Sequence, residues 1–193
     1  MERRILDEDK ANDAGQSKAQ LAKWAGGGPI VTLAVVFTDI VSSTELGNKA
    51  GDTDWNGIRR KHFARGQELV RRKDGFLIKT IGDSPRVVFR NAPNALSFAL
   101  EFRRDTGDPI VEVRQVAHIG PMTLDGDDVF GRHVNLSARV SGKTEGGDIV
   151  VTEDFKKDVD SIRDPKHRDL QWEPITGVSL KGFAETFNLW RLR

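Results

Sequence analysis

The stretch Val31-Thr-Leu-Ala-Val-Val-Phe37 is β-branched and nearly all apolar, and Thr38, Asp39 and Ile40 follow it directly. A short apolar run without alternating polar residues is typical of a strand that is buried on both faces. Asp39 stands where this strand runs out. The stretch therefore predicts a central strand that ends in a carboxylate, and the neighbouring patterns decide which fold surrounds it.

Patterns of helix and strand alternate along the rest of the chain. Helices are predicted over residues 55–72, 92–104 and 132–143, and strands over residues 76–81, 86–89, 111–119, 149–152 and 187–192. A tight turn, Gly82-Asp83-Ser84-Pro85, separates the second strand from the third. The order β-α-β-β-α-β is that of the ferredoxin-like arrangement. We therefore expect an α/β (α+β) fold, with a mixed central sheet flanked by helices and extended at the C-terminus.

The domain organisation follows from length and composition. The 193 residues are enough for one domain with its own core. Residues 1–29 are polar and charged and end in Gly26-Gly27-Gly28-Pro29, which predicts an appended segment and linker before a domain at residues 30–193. The longest apolar run, residues 30–37, is too short to cross a bilayer, and the N-terminus lacks the apolar core of a signal peptide. We expect a cytoplasmic protein without a membrane segment.

Charge and cysteine content exclude several kinds of partner and site. The chain has 30 basic and 29 acidic residues and a net charge of +1, so it has no general field that attracts nucleic acid. It has no cysteine, which excludes disulfides and thiolate metal sites.

Two carboxylates are predicted to lie at one edge of the sheet. Asp39 ends the first strand, and Asp83 lies in the turn between two strands that neighbour it in this arrangement. Paired hard oxygen ligands suit Mg²⁺ or Mn²⁺ when waters and substrate phosphates complete the shell. Ser43 and Thr44 follow Asp39 and could offer amides and hydroxyls to phosphates. On spacing alone, capping and turn roles explain the same residues.

Together these stretches resemble the class III nucleotidyl cyclase family over residues 31–192. The two metal motifs of the family are similar to Phe37-Thr38-Asp39-Ile40 and Lys79-Thr80-Ile81-Gly82-Asp83. The third motif is similar to Asp128-Val129-Phe130-Gly131 and Val134-Asn135-Leu136-Ser137-Ala138-Arg139, and the phosphate-binding lysine to Leu180-Lys181-Gly182. Arg114 lies four residues before His118 and matches a further phosphate-contacting arginine.

The resemblance implies a role for each matching residue. Asp39, Ile40 and Asp83 would hold two Mg²⁺ or Mn²⁺ ions. Asn135 would orient the ribose and Arg139 would stabilise the transition state, and both would project from one helix face because they are four residues apart. The remaining substrate contacts would come from Lys79, Asp128, Arg114, Lys181, Ser43 and Thr44.

The base-contacting positions favour ATP. A lysine can donate to adenine N1 while an aspartate accepts from the 6-amino group, and guanine presents the opposite pattern. In guanylyl cyclases of the family the lysine is typically a glutamate. Lys79 and Asp128 therefore predict an adenylyl cyclase that makes cyclic AMP from ATP.

The family's active site lies between two catalytic domains. The resemblance implies a homodimer with two equivalent sites, in which Asp39 and Asp83 of one chain face the base-contacting, ribose and phosphate residues of the other.

Ser84-Pro85-Arg86 departs from the family's small residues, and Arg86 is expected to bring a cation near the metals. A catalytically weak or silent dimerisation or sensor module, a guanylyl cyclase and a cyclic-dinucleotide enzyme remain alternatives. The chain has no GGDEF-like sequence, which weighs against the last. His118 and His133 show no spacing of metal ligands and are interpreted as structural.

Overall fold

A computed structural model describes residues 20–192 of the protein. Its strands are β1 (Ile30–Ile40), β2 (Gly75–Ile81), β3 (Ser84–Phe89), β4 (Val113–Asp125), β5 (Asp128–Phe130), β6 (Ile149–Thr152), β7 (Trp172–Ser179) and β8 (Thr186–Leu192). Its α-helices are α1 (Ser43–Ala50), α2 (Asp52–Arg72), α3 (Ala92–Arg104), α4 (Arg132–Ser141) and α5 (Glu153–Ile162). None of the helices in residues 20–192 is long and apolar enough to span a bilayer.

The strands form one mixed sheet in the order β2-β3-β1-β4-β6-β8-β7, and β5 pairs with the end of β4. β1 is central and antiparallel to both β3 and β4, whereas β4 and β6 are parallel. The run β2-β3-β1-β4 is the ferredoxin-like core. The predicted fold class, including the C-terminal extension of the sheet, is confirmed.

Burial on both faces explains why β1 shows no alternation of polar and apolar residues. Ala34 and Val36 belong to the core between the sheet and helices α2, α3 and α5. Leu33 and Val35 belong to a second core on the opposite face, together with Leu21. The strand is longer than the predicted 31–37 and includes Asp39, which pairs with Arg114 of β4.

Two predicted elements have the observed bounds, and four observed elements were not predicted. Helix 92–104 and strand 149–152 match α3 and β6. The unpredicted elements are α1, β5, α5 and β7. β7 contains Pro174 and Gly177, which weaken a strand pattern and are tolerated because β7 is at the sheet edge.

Residues 20–25 are helical and pack on the sheet. Leu21 is fully buried, the rings of Trp24 and Phe76 are 5.6 Å apart, and Arg90 donates to the Trp24 carbonyl at 2.6 Å. Residues 1–19 of the predicted N-terminal segment lie outside the described residues. The boundary at residues 29 and 30 stays a prediction.

Candidate active site

The end of β1 carries the first group of candidate residues. Arg114 donates from Nε and Nη2 to Asp39 Oδ2, at 2.9 and 2.5 Å. Ser84 donates to Asp39 Oδ1 at 2.5 Å. Because Ser84 is the neighbour of Asp83, this contact brings the two candidate metal motifs to the same sheet edge, as the sequence predicted.

Asp83 forms an ion pair with a different arginine. The turn that carries it requires a left-handed backbone at Gly82, with φ 61°, which favours glycine. Arg59 of α2 places Nε 2.6 Å from Asp83 Oδ1. Each candidate metal-binding carboxylate is therefore neutralised by an arginine, Arg114 or Arg59.

The donor set at this edge suits a hard divalent cation. Within residues 20–192 no group of three or more His, Cys, Asp or Glu residues is placed to hold a metal. Asp39 and Asp83 offer carboxylate oxygens, and the buried side chain of Ile40 leaves only its backbone carbonyl. Such an incomplete oxygen set matches Mg²⁺ or Mn²⁺, which keep several waters and bind substrate phosphates.

Helix α1 begins at Ser43, three residues after β1 ends at Ile40. Ser42 precedes it with φ 51°, an uncommon backbone conformation for a residue with a side chain, and makes no side-chain cap. Ser43 and Thr44 are the first residues of α1. Their amides belong to the set that a helix leaves without intrahelical partners, which makes this end suitable for phosphate oxygens.

A second group lies on the same face of the sheet. Lys79 Nζ forms an ion pair with Asp128 Oδ2, and the Val129 amide donates to Asp128 Oδ1 at 2.8 Å. Asp128 is buried, and Lys79 also lies 5.9 Å from the centre of the Phe130 ring. The sequence-predicted base-contacting pair is therefore a donor and an acceptor held side by side.

Arg86 belongs to this second group, which corrects an expectation from the sequence. Its guanidinium lies 4.6 Å from the centre of the Phe37 ring and 3.6 Å from Asp128 Oδ1. The sequence had suggested Arg86 as the cation near the metal-binding carboxylates, but the cation that contacts Asp83 is Arg59. The pairing of β3 with β1 ends at Arg86. Pro85 lies just beyond that ladder, where the missing amide hydrogen is tolerated.

A third group lies on α4 and the β7–β8 hairpin. Asn135 and Arg139 are exposed, whereas the residues that directly follow them on α4, Leu136 and Val140, are buried. Lys181 is exposed in the hairpin. Arg132 of α4 contacts this hairpin through an ion pair with Glu185 and lies 4.8 Å from the centre of the Phe183 ring. Within residues 20–192, Asn135, Arg139 and Lys181 have no side-chain partner.

Two histidines fix α4 to the sheet. His118 Nε2 is 2.7 Å from His133 Nδ1, and His118 Nδ1 is 2.6 Å from Thr152 Oγ1. Burial lowers the pKa of His118 to about 3, so this ring is neutral at physiological pH. Gly120 leaves room for the His133 ring, because a Cβ at this position would overlap with the Nδ1 atom of His133. The contact supports the structural interpretation of both histidines.

The structure brings the predicted residues into three groups rather than one. No described contact joins Asn135, Arg139 or Lys181 to the carboxylates of the first group. Sequence reasoning did not assign Arg59 or Ser84 to the site. Ser84 follows Asp83 directly and could have been considered, whereas nothing in the sequence connects Arg59 to a turn 24 residues away.

The amino-acid sequence is similar to known cyclases. It matches the family model of the adenylate and guanylate cyclase catalytic domain over residues 28–189. It is 26% identical over 195 residues to a pH-sensitive adenylate cyclase of Mycobacterium tuberculosis, covering 100% of this chain and 47% of that protein. An adenylate cyclase of Glutamicibacter nicotianae is 27% identical over 183 residues, covering 93% and 41%. The chain thus spans less than half the length of these two relatives.

Solved structures share the fold. The adenylyl cyclase CyaB from P. aeruginosa superposes with a TM-score of 0.73 at 19% identity, covering 85% of this chain and 94% of that one. The guanylate cyclase domain of RhGC from Catenaria anguillulae, in complex with GTP, superposes with a TM-score of 0.69 at 18% identity, covering 84% and 96%. At such identities the likeness shows the fold alone.

Proposed function

Because the chain belongs to the family of adenylate and guanylate cyclase catalytic domains, we propose that it converts ATP into 3′,5′-cyclic AMP and pyrophosphate. The observation that carries the choice of ATP is the pairing of Lys79 with the buried Asp128. Lys79 donates to adenine N1, and Asp128 accepts from the 6-amino group. Guanine offers a donor at N1 and an acceptor at position 6, so a guanine held in the position of adenine would lose both contacts.

Asp39, Asp83 and the backbone carbonyl of Ile40 would hold two Mg²⁺ or Mn²⁺ ions. Bound there, the ions would lower the pKa of the ribose 3′ hydroxyl and neutralise triphosphate charge. Arg114 and Arg59, which contact these carboxylates in the chain alone, would then be released. Arg114 becomes free to contact phosphate oxygens together with Ser43 and Thr44.

The third group supports the in-line attack of the 3′ oxygen on the α-phosphorus. Asn135 orients the ribose, and Lys181 contacts the phosphates. Arg139 donates to the charge that develops on the phosphoryl oxygens. Both α4 residues are exposed and without partners among the described residues, so they are free to meet a substrate held outside their own chain.

We place each complete site between two chains of a homodimer. Ile81, close to Asp83, and Phe130, close to Asp128, are large apolar side chains that are 55% and 46% exposed. In the proposed dimer, the second copy covers both of these side chains. A two-fold axis gives two equivalent sites, in which the first group of one chain faces the second and third groups of the other.

The proposal is tested by identifying the product made by the purified chain. ATP and GTP are supplied separately with Mg²⁺ or Mn²⁺, and cyclic nucleotides and pyrophosphate are quantified by chromatography. We expect cyclic AMP and pyrophosphate in equal amounts, with ATP as the better substrate. Cyclic GMP as the main product would indicate a guanylyl cyclase. Folded protein that makes neither product under any condition would indicate a silent module.

Arg59→Gln is expected to lower the Mn²⁺ concentration required for half-maximal activity, by about threefold to tenfold. Arg59 competes with a metal for Asp83, and a partly exposed ion pair contributes up to about 1 kcal/mol, or roughly fivefold. The measurement is a Mn²⁺ titration of initial rates, with binding to ATP-free protein followed by electron paramagnetic resonance. Arg60→Gln, at an exposed neighbouring position on α2, is the matched control. A Mn²⁺ requirement that is unchanged or increased would contradict the competition.

A further inference from the structure

We propose that Arg86 is a third base-contacting residue, which gives the site a donor for guanine and so weakens its discrimination against GTP. This inference rests on the proposed function, because it assumes that the base binds beside Lys79 and Asp128. It assigns Arg86 to the base-contacting residues, whereas the sequence alone had suggested a position near the metals.

The strand register places Arg86 in the row of the base-contacting residues. Arg86 of β3 lies opposite Lys79 of β2 on one side and opposite Phe37 of β1 on the other. Residues directly opposite each other in antiparallel strands project from the same face of the sheet. The three side chains therefore form one row, and Asp39, two residues beyond Phe37, lies on the same face nearer the strand end.

The Arg86 guanidinium is enclosed but incompletely bonded. Its side chain is only 13% exposed, and its distance of 3.6 Å from Asp128 exceeds that of a hydrogen bond. The buried Nε atom has no hydrogen-bond partner among residues 20–192. Burial lowers the pKa of Arg86 from its ordinary value, while Asp128 opposes this shift. Because no hydrogen bond to Arg86 is described within these residues, its guanidinium retains N–H groups for an acceptor bound beside Asp128.

The charge balance of the second group leads to the same conclusion. Lys79 and Arg86 supply two cations, and among residues 20–192 Asp128 is the one carboxylate that pairs with them. When Asp128 accepts from a base, one of these two cations is left with free donors. The π-face contact with Phe37 holds Arg86 in place without using the in-plane N–H groups.

The atom at position 6 of the purine decides what Arg86 can do. Adenine has an amino group there, which donates a hydrogen bond to Asp128. Guanine has a carbonyl oxygen at the same position, which must accept a hydrogen bond from a donor. Arg86 is the cation beside Asp128 Oδ1 and can donate to O6, one of the guanine atoms that arginine most often contacts and the one that adenine lacks. Asp128 can then accept from guanine N1–H. A site with both an acceptor and a donor at this place tolerates either purine.

The test compares wild type with Arg86→Met, which keeps the length and apolar packing of the side chain but removes its donors. Equilibrium binding is measured in Mn²⁺ with 3′-deoxy-ATP and 3′-deoxy-GTP, which lack the attacking hydroxyl, and kcat/KM is measured with ATP and GTP. In wild type we expect the GTP analogue to bind within about 30-fold of the ATP analogue. Arg86→Met should widen this ratio by about 10- to 100-fold, the range expected for a good base contact.

Controls separate this inference from the proposed function. Arg104→Met removes an exposed cation at the end of α3 and should leave the ratio unchanged. Thermal unfolding checks the fold of Arg86→Met. If that variant does not fold, Arg86→Lys replaces it and should give an intermediate ratio, because an ammonium cannot donate a planar fork.

Two results would overturn the role of Arg86. One is a ratio that Arg86→Met leaves within twofold of wild type, and the other is wild type that binds the GTP analogue more than about 30-fold more weakly than the ATP analogue. If cyclic AMP were still formed, the proposed function would stand. An Arg86-dependent binding ratio in protein that forms no cyclic nucleotide would uphold the base contact and refute the proposed function.

Discussion

Asp83→Ala is expected to reduce kcat for cyclic AMP formation by at least about a thousandfold. Asp83 and Asp39 lie at one sheet edge, linked through Ser84, and we propose that they bridge two divalent ions. Losing a metal ligand removes several kcal/mol of transition-state stabilisation, and each 1.4 kcal/mol is about tenfold in rate. The measurement is the steady-state rate with saturating ATP over a range of Mn²⁺ concentrations, so that weakened metal affinity is separated from lost chemistry.

The fold of Asp83→Ala should survive, because the residue lies in a turn and its one described side-chain partner is the partly exposed Arg59. Asp169→Ala, an exposed position before β7, is the matched control and should keep the wild-type rate. Activity of Asp83→Ala within tenfold of wild type, at any Mn²⁺ concentration, would show that the two-metal assignment is wrong.

Arg139→Ala is expected to lower kcat by about 10²- to 10³-fold while changing the affinity for 3′-deoxy-ATP by only a few-fold. The reason is that the guanidinium meets charge that develops mainly in the transition state, where a single well-placed donor is worth this much. The exposed side chain has no partner among the described residues, so its removal should not alter stability. Rates and analogue binding are measured on the same preparations.

Arg104→Ala, also at an exposed arginine near the end of a helix, serves as the control for loss of charge. A loss of analogue affinity as large as the loss of kcat would show that Arg139 binds the ground state instead. Activity within tenfold of wild type would remove Arg139 from the transition-state role.

The sequence predicted the part of the fold that depends on local pattern and strand order. The apolar run before Asp39 identified β1 because both faces of that strand are buried. The short turn at Asp83 identified the β2–β3 hairpin, and antiparallel neighbours bring their ends to one edge. Two candidate metal motifs could therefore be placed together without a structure.

The position of Arg86 could not be predicted, because it depends on an irregularity in strand pairing. The register of β2 and β3 shifts between Leu77 and Lys79. A one-residue shift moves side chains to the other face of a sheet. Only with this bulge do Lys79 and Arg86 stand opposite each other, so counting along the sequence could not show that Arg86 contacts the base-contacting pair.

Contacts between elements that are far apart in the sequence could not be predicted either. Arg59 reaches Asp83 because α2 packs beside the β2–β3 hairpin, and His133 reaches His118 because α4 packs on β4. Gly120 was the one available signal for the histidine pair, since a glycine inside a strand indicates a close approach of another group. Its meaning became clear only from the packing of α4.

The central claim is that each active site is built from two chains, and mixing two inactive variants tests it most directly. Asp39→Ala lacks part of the metal group, and Arg139→Ala lacks the transition-state arginine. A dimer of one chain of each kind has one site in which both groups are intact. After random subunit exchange, confirmed by mass spectrometry, half of the dimers are mixed, and cyclic AMP formation should recover to about a quarter of the wild-type rate. Activity that stays at the level of the separate variants, despite demonstrated exchange, would contradict a shared site.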